Sequence, residues 1–262
     1  MEINFTKYHG TGNDFILVDN RSGKIKLSKE QIARLCHRQF GIGADGLIAI
    51  SDLSGFDFYM KYYNSDGGEG TMCGNGGRCL TAYAGARGVI NKKARFSAID
   101  GEHFSEILSV NGNEFYISLK MTNVDKLQKF EDGYFVNTGS PHFVKFVGDI
   151  EKVDVYQEGK DLRWDKRFQP EGTNVNFVEI KDDFLIVRSF ERGVENITLS
   201  CGTGVTASAL VASSILNDDQ QFFNIKTYGG DLKVRFAKSK NMFKDIWLEG
   251  AAIKVFEGQI EI

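Results

Sequence analysis

Two segments of the chain combine a cysteine with closely spaced glycines. The first reads MCGNGGRCLTAYAGA from Met72 and the second SCGTGVTASALVASS from Ser200, and in both Cys-Gly-x-Gly leads into small and apolar residues. A cysteine at a helix N-terminus meets the positive end of the helix dipole and unpaired N–H groups, which favour its thiolate. The glycines let those N–H groups approach a bound carboxylate or phosphate. The pattern therefore predicts two ionisable thiols, Cys73 and Cys201, each beside an anion-binding helix end.

Two such thiols on opposite sides of one ligand could invert a stereocentre. A carbon held between them can lose a proton to one thiolate and regain a proton from the other thiol. The α-proton of an amino acid is weakly acidic, so N–H groups at the α-carboxylate would have to stabilise the charge that develops. A thiol pKa lowered from about 8.5 toward neutrality suits a group that must act as both base and acid.

The chain also repeats itself once at nearly one offset. The two cysteines lie 128 positions apart, and the segments GNDFILVD and GSPHFVKFV begin 127 apart. FGIGADGLIAI and FQPEGTNVNFVEI also begin 128 apart, in the same order. Three matches at one offset indicate two homologous halves. We place the halves at 1–120, joined by the last strand 251–262, and at 121–250, with the change near KMTNVDK.

The elements that must position the cysteines belong to an α+β protein. Strands are predicted for EFYISLKM, FLIVRSFE, DLKVRFA and DIWLEGAAIKVFEGQIEI, because these runs are rich in β-branched and aromatic residues. LSKEQIARLCHRQF predicts an amphipathic helix with Ser28 as N-cap, a capping box to Gln31, and Cys36 in the core. The segments after the two cysteines predict helices with small residues all round, as a helix enclosed by strands requires.

Composition excludes several classes of protein. The 262 residues include 29 glycines but only 2 prolines without low complexity, which excludes collagen-like and disordered chains. A net charge of −3 argues against a nucleic-acid partner. No signal peptide or membrane span is expected, and four cysteines in a chain this long do not suggest a disulfide scaffold, so we expect a cytoplasmic protein with reduced thiols.

Competing motifs are weaker. GIGADG matches a dinucleotide fingerprint, but it follows a helix and leads into a strand, which is the wrong order. Cys73 and Arg78 are one residue too close for a thiol phosphatase loop. No spacing of cysteine and histidine predicts a metal site, and no lysine motif supports pyridoxal phosphate. Cys79 is read as structural, since it lies on another face of its helix.

The motifs YYNSDGGEGTMCGNGGRC, ERGVENITLSCGTG, GTGNDF, GTNVNF and GSPHFV together resemble the diaminopimelate epimerase family over nearly the whole chain. The resemblance implies two pseudo-symmetric halves, each a curved, mostly antiparallel sheet or barrel around a central helix. It also implies a cofactor-independent homodimer that interconverts LL- and meso-diaminopimelate for lysine and peptidoglycan synthesis. Its small-molecule substrate would be diaminopimelate.

Carried over position by position, the resemblance makes Cys73 and Cys201 the acid/base pair. His142 and Glu191 would support thiolate formation at the two cysteines. The α-carboxylate would be bound by the residues that follow each cysteine, and the distal amino and carboxylate groups by a second set. The first set is Gly74, Asn75, Gly202 and Thr203; the second is Asn13, Asn64, Asn174, Glu191 and Arg192.

Two departures from the family pattern and two alternative functions remain. Gly46 stands where the family usually has glutamine, and Ser140 where it usually has asparagine, so contacts to the distal end of the substrate are open. Each asparagine could instead be a turn former, and the Glu191–Arg192 pair could be a solvated ion pair. A racemase of proline or another amino acid is the first alternative function. A thiol redox switch or a non-catalytic amino-acid binder is the second.

Overall fold

The computed structural model describes residues 2–216, 220–239 and 242–262. The chain divides into two compact units: Met1–Leu119 with Gly250–Ile262 form an N-terminal unit, and Lys120–Glu249 form a C-terminal unit. The last strand, β16, spans Met242–Glu261 and contributes residues to both. The α-helices are α1 Lys29–Cys36, α2 Gly74–Ala86, α3 Val155–Arg163 and α4 Gly202–Leu216. The strands before β16 are β1 Glu2–Gly10, β2 Asn13–Asp19, β3 Gly46–Ser51, β4 Phe58–Asn64, β5 Lys93–Ala98, β6 Gly101–Asn111, β7 Glu114–Lys120, β8 Gln128–Lys129, β9 Tyr134–Asn137, β10 Pro141–Phe146, β11 Asn174–Ile180, β12 Leu185–Glu191, β13 Asn196–Thr198, β14 Phe222–Thr227 and β15 Gly230–Ser239.

The N-terminal unit is a closed barrel around α2. Strands β1 to β7 follow one another in the sheet, β7 pairs with the middle of β16, and the C-terminal end of β16 pairs back with β1. Helix α2 contacts β1, β2, β3, β4 and β6 and is buried from Gly74 to Ala84. Its many small residues allow the strands to approach on every side. The buried hydroxyl of Thr81 is satisfied by the carbonyl of Gly77, at 2.8 Å.

The C-terminal unit repeats this pattern around α4. In the N-terminal unit the pairings from β1 to β6 alternate antiparallel and parallel, and the pairings among β9, β10, β11, β12, β14 and β15 alternate in the same order. Helix α4 contacts β9, β10, β11, β12, β14 and β15, and its residues from Gly204 to Ser213 are buried. The predicted fold class, two pseudo-symmetric halves each with a mostly antiparallel barrel around a helix, is confirmed.

The remaining helices lie outside the barrels. Helix α1 has the predicted capping box: Ser28 Oγ accepts a hydrogen bond from Gln31 N at 3.2 Å, and Gln31 Oε1 accepts one from Ser28 N at 2.8 Å. Helix α3, which the sequence patterns did not predict, is capped by Asp154, whose carboxylate accepts from Gln157 N at 3.0 Å. None of the helices in the described ranges is long and apolar enough to cross a membrane.

Candidate active site

The N-terminal cluster, which we define as Cys73, Asn13, Asn75, Asp45 and Arg78, lies at the start of α2. Cys73 has extended backbone angles, φ −97° and ψ 132°, and its carbonyl accepts a hydrogen bond from Gly77 N at 2.7 Å. The Cys73 side chain makes no capping hydrogen bond to the helix. Its sulfur lies 3.6 Å from Asn13 Oδ1 instead. The thiol therefore stands at the positive end of a buried helix, as the glycine pattern predicts.

The Asn13 amide connects the Cys73 thiol to a second amide and to a carboxylate. Asn75 Nδ2 donates to Asn13 Oδ1 at 3.2 Å, and Asn13 Nδ2 donates to Asp45 Oδ2 at 2.7 Å. Asp45 also accepts a hydrogen bond from Arg38 Nη2 at 2.7 Å. The Asn13 amide is thus held at both ends, with its oxygen beside the thiol.

Arg78 is completely buried one turn into α2. Its Nη2 donates to Asn75 Oδ1 at 3.0 Å and to Thr11 Oγ1 at 3.3 Å, and its Nη1 donates to Gly74 O at 3.4 Å. Its Nε has no hydrogen-bond partner, and in the described part of the chain no carboxylate forms an ion pair with it. Burial lowers the pKa of this guanidinium, yet an arginine stays protonated, so a fixed positive charge lies beneath the cluster.

The C-terminal cluster, which we define as Cys201, Thr203, Ser140, His142 and Asn176, lies at the start of α4. The Cys201 carbonyl accepts a hydrogen bond from Val205 N at 2.9 Å, and the Cys201 sulfur lies 3.6 Å from Thr203 Oγ1. Thr203 Oγ1 lies 2.9 Å from His142 Nε2 and 3.1 Å from Ser140 Oγ. Hydroxyls and an imidazole therefore stand beside this thiol, where amides stand beside Cys73.

The neighbours of His142 fix its protonation and its tautomer. The ring is completely buried, and burial lowers its pKa to about 3, with the positive charge of Arg192 acting in the same direction. Its Nδ1 lies 3.1 Å from Asn176 Nδ2. Asn176 Nδ2 also donates to Phe143 O at 3.3 Å, and Asn176 Oδ1 accepts from Ser189 Oγ at 2.8 Å. His142 is thus neutral, accepts at Nδ1, and carries its proton on Nε2.

The strand registers identify equivalent positions in the two units. In each unit a strand that follows a glycine turn pairs in parallel with the next strand, which pairs antiparallel with the one after it. Three positions of the N-terminal unit correspond in this way to three of the C-terminal unit. The first two pairs are Phe15 with His142 and Gly46 with Asn174. Asn64, which pairs with Gly46, corresponds to Glu191, which lies one position beyond the Val175–Phe190 pair.

Three of the residues predicted to bind the distal end of the substrate lie together beside the C-terminal cluster. Asn174 Nδ2 donates to Pro141 O at 2.8 Å, and Asn174 Oδ1 accepts from Arg192 N at 2.9 Å. The Glu191 carboxylate accepts a hydrogen bond from the Thr198 hydroxyl. A carboxylate and a guanidinium thus follow one another at the end of β12. Asn64 ends β4 in the other unit, where its backbone N donates to Gly68 O at 2.8 Å.

The structure explains why residue 46 is a glycine. A Cβ atom there would lie 2.5 Å from Tyr63 O and 2.6 Å from Cε2 of Tyr62. The Tyr62 ring therefore occupies the space that a longer side chain would need. The other departure, Ser140, keeps a polar role, because its hydroxyl lies 2.9 Å from His142 Nε2.

The two remaining cysteines belong to the barrel interior. Cys36 is buried, and burial raises the pKa of its thiol to about 11. Burial likewise raises the pKa of the Cys79 thiol, which is completely enclosed. In the described ranges no group of three or more His, Cys, Asp or Glu side chains is arranged to hold a metal ion.

Sequence reasoning missed three members of the clusters. Arg78 follows Asn75 by three positions in a predicted helix, and this spacing puts both on one face. Asn176 follows Asn174 by two positions in a predicted strand, which also places them on one face. Asp45 carried no signal of its own, since its contact with Asn13 joins β2 to the loop before β3.

The sequence profile of the diaminopimelate epimerase family matches residues 5–127 and 134–255 of the chain. A diaminopimelate epimerase from Flavobacterium psychrophilum is 44% identical over 256 residues, which cover 97% of this chain and 98% of that protein. The chain belongs to the diaminopimelate epimerase family. It is therefore an isomerase of the epimerase class.

Solved structures of two other proteins have the same fold as this diaminopimelate epimerase family member. A phenazine biosynthesis protein from Bacillus anthracis matches with a TM-score of 0.79 at 16% identity, over 100% of both chains. A probable proline racemase from Agrobacterium radiobacter matches with a TM-score of 0.72 at 15% identity, over 99% of this chain and 93% of that one. At such low identity the likeness concerns the fold alone.

Proposed function

We propose that this member of the family interconverts LL- and meso-2,6-diaminopimelate without a cofactor, using Cys73 and Cys201 as its acid and base. The observation that carries the proposal is the thiol at the start of the central helix in each unit. Each sulfur lies 3.6 Å from a polar side-chain atom and beside the positive end of a helix. The positive helix end favours a thiolate in each unit, and the polar neighbour differs between the two.

The proposed reaction is a transfer of two protons at one carbon. One cysteine, as thiolate, takes the α-proton from the substrate, and the electron pair of the broken C–H bond moves toward the α-carboxylate. The other cysteine, as thiol, gives its proton to the opposite face of the carbon. The product has inverted configuration, the two cysteines have exchanged protonation states, and no electron is gained or lost. A thiol whose pKa is near neutrality serves both steps.

The helix ends supply the groups that could stabilise the intermediate. Gly74 and Asn75 are the first residues of α2, and Gly202 and Thr203 are the first of α4. Backbone N–H groups at the first turn of a helix lack partners within the helix. Directed at the α-carboxylate, they would stabilise the negative charge that develops during proton removal.

The distal end of the substrate would be held by the polar group at the end of β12. Glu191 offers a carboxylate for an ammonium group, Arg192 offers a guanidinium for a carboxylate, and Asn174 offers an amide. Asn13 and Asn64 would complete the set from the N-terminal unit. A substrate with an amino-acid group at each end fits this combination of charges better than proline, which has only one.

The proposal has two further elements: a domain division, which rests on the internal repeat, and an oligomeric and metabolic role, which the family resemblance implies. We assign residues 1–120 with 251–262 to one domain and residues 121–250 to the other, since the compact units divide after Leu119 and Glu249. The enzyme would act as a homodimer and supply precursors for lysine and peptidoglycan. Light scattering of the purified chain measures its oligomeric state directly.

A substrate screen in heavy water tests the proposed function. The enzyme is incubated separately with LL-diaminopimelate, L-proline and trans-4-hydroxy-L-proline, and the products are resolved by chiral chromatography and mass spectrometry. We expect meso-diaminopimelate with one deuterium at Cα, and no inversion of either proline substrate. Inversion of proline alone would replace the substrate assignment. Enhanced thiol-dependent redox turnover without any inversion would replace the isomerase assignment.

A further inference from the structure

The hydrogen bonds of the N-terminal cluster present an acceptor to the sulfur. Arg78 can only donate hydrogen bonds, so Asn75 Oδ1 accepts from it and Asn75 Nδ2 is left to donate to Asn13. At the other end, the Asp45 carboxylate can only accept, so it holds Asn13 Nδ2. Both charged groups therefore set the same amide orientation, with Asn13 Oδ1 facing the Cys73 sulfur at 3.6 Å.

The hydrogen bonds of the C-terminal cluster run the opposite way. Asn176 Nδ2 donates to His142 Nδ1, so the ring proton sits on Nε2 and is directed to the neighbouring hydroxyls. Ser140 Oγ itself lies within hydrogen-bond distance of Thr203 Oγ1. Thr203 Oγ1 can accept from either of these groups, which leaves its own proton for the Cys201 sulfur at 3.6 Å.

An acceptor beside a thiol stabilises S–H, whereas a donor stabilises S⁻. Building on the two-thiol function proposed above, we infer that Cys73 keeps its proton to a higher pH than Cys201, so that the resting enzyme holds Cys73 as thiol and Cys201 as thiolate. Arg78 and Asp45 act in this scheme as positioning residues, since they touch the amides and not the reacting atoms.

The charges around each thiol have to be weighed against these hydrogen bonds. On the N-terminal side, the Asp14 carboxylate is paired with Arg38 and Lys7, and Asp45 is paired with Arg38. Arg78 is the unpaired charge of this group, and its interaction with Cys73 favours the thiolate. The guanidinium, however, directs its hydrogen bonds to Asn75, Thr11 and Gly74, while the Asn13 oxygen contacts the sulfur itself.

On the C-terminal side, the neighbouring residues Glu191 and Arg192 carry opposite charges. The Glu191 carboxylate is engaged by the Thr198 hydroxyl, and the Arg192 charge acts on the buried ring of His142. His142 is neutral and contributes only its orientation. The positive charge of Arg192 favours a thiolate and the negative charge of Glu191 opposes one, so these adjacent charges offset each other and the hydroxyl donor beside Cys201 sets the direction.

Alkylation of each cysteine as a function of pH tests the inference. The Cys201→Ser protein reports on Cys73 and the Cys73→Ser protein on Cys201, so that the two titrations are not coupled. Iodoacetamide modification of each peptide is followed by mass spectrometry between about pH 5 and 10, a range that brackets the usual thiol pKa. The midpoint pH is compared, because the plateau rate also depends on access to the sulfur. Cys36 and Cys79 serve as buried internal references.

We expect the Cys73 midpoint to lie at least about one pH unit above that of Cys201, which corresponds to a roughly tenfold smaller thiolate fraction near neutrality. Equal midpoints, or a lower one for Cys73, would overturn the inference and make the Arg78 charge decisive. Neither midpoint measurement requires turnover. A higher midpoint for Cys73 in a protein whose unmodified chain has no isomerase activity would refute only the proposed function. Isomerase activity of the unmodified chain together with equal midpoints would refute only this inference.

A second variant tests the positioning role of Asp45. Asp45→Asn removes the carboxylate that fixes Asn13, so the Asn13 amide can turn and present Nδ2 to the sulfur. In the Cys201→Ser background this change should lower the Cys73 midpoint by about half a pH unit or more, and in the Cys73→Ser background it should leave the Cys201 midpoint unchanged. Asp19→Asn is the matched control, because Asp19 also binds an arginine, Arg21, but on the surface. An unmoved Cys73 midpoint in a folded Asp45→Asn protein would contradict the role of Asp45.

Discussion

The two units have the same strand topology but differ in the side chains beside their cysteines. Each winds its strands in the same order of antiparallel and parallel pairings around a helix that begins just after a cysteine. Yet Phe15 in one unit corresponds to His142 in the other. The repeated fold supplies two equivalent places for a thiol, and the side chains around each place give the two thiols different surroundings.

Removal of either thiol is the strongest test of this equivalence. Cys73→Ala and Cys201→Ala should each lower kcat for inversion by about 10³-fold or more, since general acid and base groups contribute 10²–10⁴-fold each. Chiral chromatography of the product measures the loss. Cys36→Ala is the matched control, because Cys36 is buried in the core of the N-terminal unit and should retain activity. Full activity in either variant would refute the idea that both units contribute a base.

A methyl group at Gly204 should disturb the C-terminal cluster from within the helix. Its Cβ would lie 2.3 Å from Asn176 Oδ1, the atom that accepts from Ser189. We expect Gly204→Ala to lower the free energy of unfolding by about 2–3 kcal/mol, the usual cost of overpacking. Urea denaturation measures it. Gly148→Ala is the control, because Gly148 has open space around it and should change stability little. Similar costs at both positions would show that α4 tolerates more volume than its contacts indicate.

The buried histidine should add a pH-dependent contribution to stability that its counterpart in the other unit, Phe15, cannot make. The pKa of His142 in the folded protein is about 3, below the ordinary value of 6.5, so the unfolded chain binds the extra proton as pH falls through 6.5. The stabilisation is complete above that pH and is lost progressively toward pH 3. Between pH 7.5 and 5 the His142 contribution should shrink by about 2 kcal/mol, and His142→Gln should remove that change. Urea denaturation at both pH values checks this, and an identical pH dependence in the variant would contradict it.

The outer helices should matter least, and equally in both units. Ser28→Ala removes the cap of α1 and Asp154→Ala the cap of α3. Each should lower the free energy of unfolding by about 1 kcal/mol, as cap losses usually do, with kcat unchanged. Thermal unfolding and a turnover assay measure the two effects. A marked loss of kcat in either variant would mean that an outer helix reaches the reaction site.

The chain pattern anticipated the elements better than the contacts between them. Period-two and helical patterns are local, so the sequence predicts the strands β7, β12, β15 and β16 and the helices after both cysteines. Helix α3 was not predicted, because it has only three buried residues and charged residues stand between them. The buried residues are Val155, Gly159 and Arg163. Asp45 was also not predicted, because its hydrogen bond with Asn13 depends on the parallel pairing of β2 with β3. No local sequence pattern specifies that pairing.

The departure at residue 46 shows the same limit. From the sequence, Gly46 was only a missing side chain. In the structure, Tyr62 from the neighbouring strand fills the space where a side chain would stand. Gly46 and Tyr62 are 16 positions apart in the chain. Only the strand register shows that the Tyr62 ring occupies the space beside Gly46.

The central claim, that two thiols act on opposite faces of one carbon, is tested most directly by the fate of solvent deuterium. LL-diaminopimelate is incubated with enzyme in heavy water, the reaction is stopped within the first few per cent of conversion, and both isomers are recovered for mass spectrometry. Two bases predict that meso product carries one deuterium at the inverted carbon while the recovered LL substrate carries none. Deuterium in the recovered substrate at the same level as in the product, or product that retains the original proton, would contradict the account.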